Sequence, residues 1–337
     1  MIRRVLPVVL ALVVVTGLAA CGERKEPAGG ARSLERVDLV LDFFPNADHA
    51  GLYAAAGAGE FKAAGLDVNF RTPSDPSAPL KLVAAGRADL AISYEPELLL
   101  ARAKGAKLVA IGALVQKPLT SIISIEPKPI SEPGELEGKK LGTAGIPYQD
   151  AYLKTIIEQA GIDEQRVHAI NLGFNLVGPL VSHKVDAVLG AFWNVEGVQL
   201  DRQDKHPKIL RMDQIGVPTY NELVIVARAQ DVRTRGPLLR RFMRAVARGH
   251  QRLRANIDAG VDPLVKANPD LDRKLQAAQV NATLPVFFPA DKARPFGFRD
   301  PAEWHRYAAW MSENGLIDSP ALAQRAFTNE FLPGEGI

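Results

Sequence analysis

Aromatic and polar side chains gather where apolar runs give way to loops. Phe43, Phe44 and Asn46 follow the run 37–41; Tyr94 and Glu95 follow 88–93. Tyr148 comes after 139–143, and Phe192, Trp193, Asn194 and Glu196 come after 185–190. Flat aromatic faces suit a planar ring, and each good pair contributes ~0.5–1.5 kcal/mol beyond area burial. A glutamate suits a ring bearing an exocyclic amine, accepting a charge-assisted bond worth ~1.5–3 kcal/mol. Taken singly, each residue could instead pack a core or cap a helix; Glu196 in particular could cap the helix that follows it. What favours a binding cleft is their shared position at strand ends, where α/β sheets receive ligands.

Catalytic sets are missing. Gly57-Ala58-Gly59 fails as a dinucleotide fingerprint because Lys62 stands at the third glycine's place. There is no G-x-S-x-G, no phosphate-binding loop and no H-E-x-x-H. The six histidines (49, 168, 183, 206, 250 and 305) lack ligand spacing, and Cys21 is the single cysteine. The sequence therefore offers no catalytic residue, no metal ligand and no cofactor site, and the chain is expected not to be an enzyme.

The elements that must carry these residues alternate short apolar runs with helical patterns, the mark of βαβ units. Strands are expected at 37–41, 66–70, 88–93 and 107–114, with helices from residue 50, at 60–64, at 78–85 and from Pro96. Gly65, Gly86 and Gly105 stop the last three. The plan then repeats: strand 139–143, helix 149–160 stopped by Gly161, strand 167–172, helix 176–182 and strand 185–189. Placing Asp186 on Asp89 sets Lys184 on Arg87 and His183 on Gly86, so both halves share a helix, a tight turn, x-x-Asp and an apolar strand. Two β-rich stretches, 121–125 and 222–229, bracket the second half as hinge strands. Residues 238–257 read as a long amphipathic helix whose arginines face solvent.

The N-terminus carries a processing signal. Met1-Ile2-Arg3-Arg4 is a short positive region, 5–18 is apolar but short for a membrane span, and Leu18-Ala19-Ala20-Cys21 has the form of a bacterial lipobox. Removal of Arg3 and Arg4 from the 41 Lys and Arg leaves 39 against 38 Asp and Glu. That near balance, with no basic run interleaved with aromatics, argues against nucleic acid.

Several stretches together resemble the SsuA/THI5-like (NMT1) solute-binding family: LDFFPNADHAGLYAA (41–55), EFKAAGLDV (60–68), AAGRADLAISYEPELLLARAKG (84–105), PLVSHKVDAVLGAFWNVEGVQL (179–200) and FGFRDPAEWHRYAAWMSENGLI (296–317). Within it the likeness is closest to thiamine-pyrimidine-precursor binding proteins. The resemblance implies an α/β, type II periplasmic-binding-protein fold, with two lobes of mostly parallel sheets joined by two hinge strands. The expected organisation is signal peptide 1–20, lipidated tether 21–35, lobe 1 from 36–122 and 226–337, and lobe 2 from 123–225. Implied ligand-binding residues are Phe43, Asn46, His49, Tyr94 and Glu196, to which the strand-end reading adds Tyr148, Trp193 and Asn194. Implied partners are a small aminopyrimidine-like ligand and the permease and ATPase of an ABC importer, with Cys21 lipidated at the extracytoplasmic face of the cell membrane.

Two departures stand out. Phe43 replaces the family's usual Trp platform, and His183 replaces a usual Gly. Riboflavin and sulfonate binders of the same family are alternatives, as is a pyrimidine-synthase-like enzyme. Those synthases carry a cysteine-rich motif that this chain lacks.

Overall fold

The computed structural model describes residues 33–334. The expected signal segment, Cys21 and the tether up to residue 32 lie outside the described residues. Ten strands follow in order: β1 (Glu35–Val40), β2 (Leu66–Arg71), β3 (Leu90–Ser93), β4 (Leu108–Val115), β5 (Thr120–Ser124), β6 (Lys140–Thr143), β7 (His168–Asn171), β8 (Ala187–Phe192), β9 (Lys208–Arg211) and β10 (Leu223–Arg228). They form two five-stranded sheets, β2-β1-β3-β10-β4 in lobe 1 and β7-β6-β8-β5-β9 in lobe 2.

Each sheet has one reversed strand, and it is fourth in both. β10 runs antiparallel to β3 and β4, while β5 runs antiparallel to β8 and β9; the other pairs are parallel. The reversed strands are the expected hinge stretches. Each enters its sheet directly after the chain has crossed between lobes, before Thr120 and before Leu223. Those crossings differ by a few residues from the expected 122/123 and 225/226, because β5 and β10 belong to the sheets they enter. β3 and β4 are buried along their whole length, as strands covered on both faces must be.

The x-x-Asp echo does the same job in each lobe. Asp89 Oδ2 accepts from Asp38 N–H at 2.9 Å and the Asp89 N–H donates back to Asp38 O. Asp186 Oδ2 accepts from Lys140 N–H at 2.8 Å and the Asp186 N–H donates back to Lys140 O. Each aspartate thus clips the start of the lobe's middle strand to its parallel neighbour. In the turns before them Gly86 has φ 71° and His183 φ 55°, so the histidine takes the left-handed backbone its glycine counterpart takes.

The amphipathic helix is Gly236–Ala255, packed on lobe 1 through Leu238, Phe242, Val246 and Leu253. Its arginines are not simply solvated: Arg241 pairs with Glu35, Arg240 with Glu330, and Arg248 and Arg252 with Glu60. It approaches the helix Ala50–Gly57 so closely that a Cβ on Gly51 would lie 2.3 Å from the His250 ring. β9 and the helices Asp258–Ala267, Arg273–Thr283 and Pro301–Glu313 were not individually anticipated. Among the described residues no helix is long and apolar enough to cross a membrane.

Candidate functional site

A pocket lies between the lobes, with about 330 Å³ of empty space when the part open to solvent is counted. Lobe 1 contributes Asp42, Phe43, Asn46 and Tyr94, all just past the ends of β1 and β3. Lobe 2 contributes Ala144, Ile146 and Gln149 after β6, Leu176 from the loop after β7, and Gly190, Phe192, Val195 and Glu196 at the end of β8. The cavity thus sits at the C-terminal edges of parallel strands in both sheets.

Its lobe 1 floor is organised by Asp42. The buried carboxylate accepts from His49 Nε2 at 2.9 Å and from the Tyr94 hydroxyl at 2.9 Å. His49 is held in turn, because its Nδ1 accepts from Asn46 N–H at 3.2 Å, which leaves the Nε2 hydrogen for Asp42. Asn46 completes a capping box around the turn Ala47–His49, its Oδ1 accepting from Asp48 N–H at 2.8 Å. The segment DFFPNADH is therefore a folded clasp that fixes Asp42 and leaves Phe43 on the cavity wall. Burial holds the Tyr94 phenol well above its ordinary value, with Asp42 adding to the effect, so Tyr94 remains a donor.

Across the cleft, Glu196 opens the helix Glu196–Arg202, and its Oε2 accepts from Phe192 N–H at 2.7 Å. Burial raises its carboxyl to about 7, opposed by the Phe192 and Glu196 N–H groups and reinforced by Asp42. Near neutrality it therefore either accepts a hydrogen bond or supplies a proton. Beside it, Gln149 Oε1 accepts from Ala144 N–H at 2.8 Å, and its amide nitrogen lies against Gly190. Gly190 has φ 97°, and a Cβ there would come within 2.1 Å of Gln149 Nε2.

Of the sequence-expected residues, Phe43, Asn46, Tyr94 and Glu196 line the cavity. His49 stands one layer behind, holding Asp42. Tyr148 also lies behind the wall, its ring 5.2 Å from that of Tyr94 and its hydroxyl 3.0 Å from Thr120 Oγ1. Asn194 is fully buried away from the cavity and ties the lobes together, donating to Asp48 Oδ1 and to Thr283 Oγ1, both at 2.6 Å. Burial, then the charge of Asp42, hold Asp48 well above the carboxylate range, which suits so enclosed a contact. Trp193 is not at the cavity: its Nε1 donates to Pro118 O, and the Arg211 guanidinium stacks on its ring at 4.7 Å. Adjacent residues leaving a strand point in different directions, so Phe192 turns inward and Trp193 turns to the crossover. Sequence reasoning missed Asp42, Gln149 and Gly190 as lining residues. For Asp42 a signal existed, an acid directly after an apolar strand.

The profile of the NMT1/THI5-like family matches residues 46–259. The chain belongs to that family. This NMT1/THI5-like protein is 31% identical over 322 residues to the formylaminopyrimidine-binding protein of Halalkalibacterium halodurans, which covers 94% of this chain and 96% of the relative. It is 25% identical over 302 residues to a 4-amino-5-hydroxymethyl-2-methylpyrimidine phosphate synthase of Legionella pneumophila, covering 88% of this chain and 92% of the synthase. Among solved structures, the alkanesulfonate-binding protein SsuA from Xanthomonas axonopodis pv. citri, bound to MOPS, superposes with a TM-score of 0.66 at 16% identity, over 87% of this chain and 98% of that one. The likeness establishes the two-lobed α/β periplasmic-binding-protein fold that the sequence implies.

Proposed function

We propose that this protein is the solute-binding component of an ABC importer and holds a small planar aminopyrimidine in the cleft between its lobes. The observation that carries the reading is the cavity itself: aromatic walls from Phe43, Tyr94 and Phe192, with Asp42 on one side and Glu196 on the other. Such a site stacks a flat ring and accepts from its amine. The name of the 31%-identical relative, a formylaminopyrimidine-binding protein, supports the same ligand class. Among the described residues no Lys, Arg or His lines the cavity, which disfavours a sulfonate. Cys21, the lone cysteine after an apolar segment, is the proposed lipid anchor at the extracytoplasmic face, with residues 21–35 as tether and the permease and ATPase as partners.

Native mass spectrometry of the purified protein, followed by calorimetry with 4-amino-5-hydroxymethyl-2-methylpyrimidine, tests the ligand. Failure of every aminopyrimidine to bind would sink the reading. A second reading, a synthase acting on the same ring, is favoured by the 25%-identical relative; it requires that the bound ring be made or altered by the protein, whereas a binding protein returns it unchanged. Fatty-acid labelling that vanishes in Cys21→Ser tests the anchor, and an unlabelled wild type overturns it.

A further inference from the structure

Outward of the ring cavity lies a larger, open chamber, with about 970 Å³ of empty space when the part open to solvent is counted. Phe43, Asn46, Leu176, Val195 and Glu196 line both, so the two are successive parts of one cleft. The mouth is bordered by aromatics from both lobes, with the Phe174 ring 4.7 Å from Phe43 and 4.3 Å from the half-exposed Phe44. The far wall is the start of the helix Arg273–Thr283 and the loop before it. A bare pyrimidine would leave this chamber unfilled, so a ligand that uses the whole cleft carries an arm on its ring.

The lining states what that arm can be. Asp42, Glu196, Asp270 and Asp272 are the carboxyl-bearing residues of the two chambers, and among the described residues no Lys, Arg or His lines either. Arg273, the first basic residue after Asp272, is turned to Asp262 and Asp258 at 2.9 and 2.7 Å. Independently of these charges, Gln276 lines the outer chamber, is 4% exposed, and its Oε1 accepts no hydrogen bond among the described residues. Its orientation is fixed, because Nε2 donates to Gln279 Oε1 and Gln279 Nε2 donates to the Val195 carbonyl, both at 2.9 Å. The amide is thus held with a buried acceptor lacking a donor, an arrangement that a ligand N–H or O–H completes.

We infer that the cleft selects ring ligands whose arm is neutral or cationic and bears an N–H or O–H for Gln276, and that it rejects phosphate-ester and sulfonate arms. The inference rests on the ring-binding function proposed above. At an effective dielectric of ~20, one anionic charge ~6 Å from one carboxylate is disfavoured by roughly a hundredfold in affinity.

Calorimetry at neutral pH with 4-amino-5-hydroxymethyl-2-methylpyrimidine, its phosphate ester, and its aminomethyl and formylaminomethyl counterparts tests this. The three uncharged or cationic ligands should bind, with the ester weaker by about a hundredfold. Asp270→Lys should narrow the alcohol-to-ester ratio at least tenfold, and Gln276→Leu should weaken the aminomethyl ligand about tenfold relative to the ring without an arm. An ester that binds within tenfold of the alcohol overturns the inference while leaving ring binding intact. A ratio unmoved by Asp270→Lys, or an arm indifferent to Gln276→Leu, also overturns it. If no ring binds, the function proposed above falls, and this inference with it.

Discussion

Glu222 stands just before β10, where the chain returns to lobe 1, and it joins the two crossovers. Its buried carboxylate accepts from Leu119 N–H at 2.6 Å, Thr120 N–H at 2.8 Å, the Thr120 hydroxyl at 2.8 Å and the Tyr220 hydroxyl at 3.1 Å. Even with four donors, burial outweighs them and raises the carboxyl from 4.5 to about 7. The folded state therefore keeps a proton that the unfolded chain releases. Stability from this group is fully present below about pH 4.5 and is lost as pH rises through about 7. At ~1.36 kcal/mol per pH unit the loss is about 3 kcal/mol. Glu222→Gln keeps an oxygen for the two main-chain N–H groups, and its amide nitrogen can donate to Thr120 Oγ1 while that hydroxyl turns to Tyr148 at 3.0 Å. The variant should equal the wild type near pH 4.5 and exceed it by about 3 kcal/mol at pH 8. Glu222→Ala, which strands four buried donors, should be less stable than the wild type at both. Urea denaturation across this range reads the difference directly. A wild-type-minus-Gln difference that is flat with pH would refute the reasoning.

Glu196→Gln should weaken aminopyrimidine binding tenfold to a hundredfold, the worth of a charge-assisted bond of ~1.5–3 kcal/mol; calorimetric affinity within twofold of wild type would remove Glu196 from the site. Gly190→Ala forces a Cβ into Gln149 at a left-handed backbone position, so a stability loss of ~1–3 kcal/mol is expected together with weaker ligand binding; an unchanged melting temperature and affinity would count against the packing described. Gly51→Ala drives a methyl group into the His250 ring and should cost ~1–3 kcal/mol by overpacking, read in thermal denaturation, without altering ligand specificity.

Much of the scaffold was legible because its punctuation is chemical. Gly65, Gly86, Gly105 and Gly161 all take positive φ where helix stops were expected, and the reversed strands β5 and β10 stood out as apolar β-rich runs. β9 was not legible: it is a four-residue edge strand, Lys-Ile-Leu-Arg, and pattern alone does not separate so short a run from a loop. The site was legible as an address more than as a list. Strand ends named Phe43, Asn46, Tyr94 and Glu196, but side-chain direction after a strand end depends on the turn, so Trp193 and Asn194 left the cavity. Gln149 and Gln276 gave no signal at all, since an amide inside a helical stretch reads as solvated until the opposite wall is known. Asp42 reads in sequence as one more loop acid, although its burial between His49 and Tyr94 organises the lobe 1 floor.

The position of β10 also sets a timetable for assembly. Every sheet partner in lobe 2 lies between residues 120 and 211, so that sheet can close as soon as one continuous stretch of chain exists. Lobe 1 has no such autonomy. β3 and β4 do not bond to each other, and both wait for β10 at Leu223–Arg228 to fill the gap between them. Even β4 then gains a late partner, with the Ala110 N–H donating to Ala326 O near the far end of the chain. A chain emerging from its N-terminus therefore begins with the lobe it finishes last. For more than a hundred residues of synthesis it carries two apolar strand edges facing an empty slot, the interval in which strand mispairing is most dangerous.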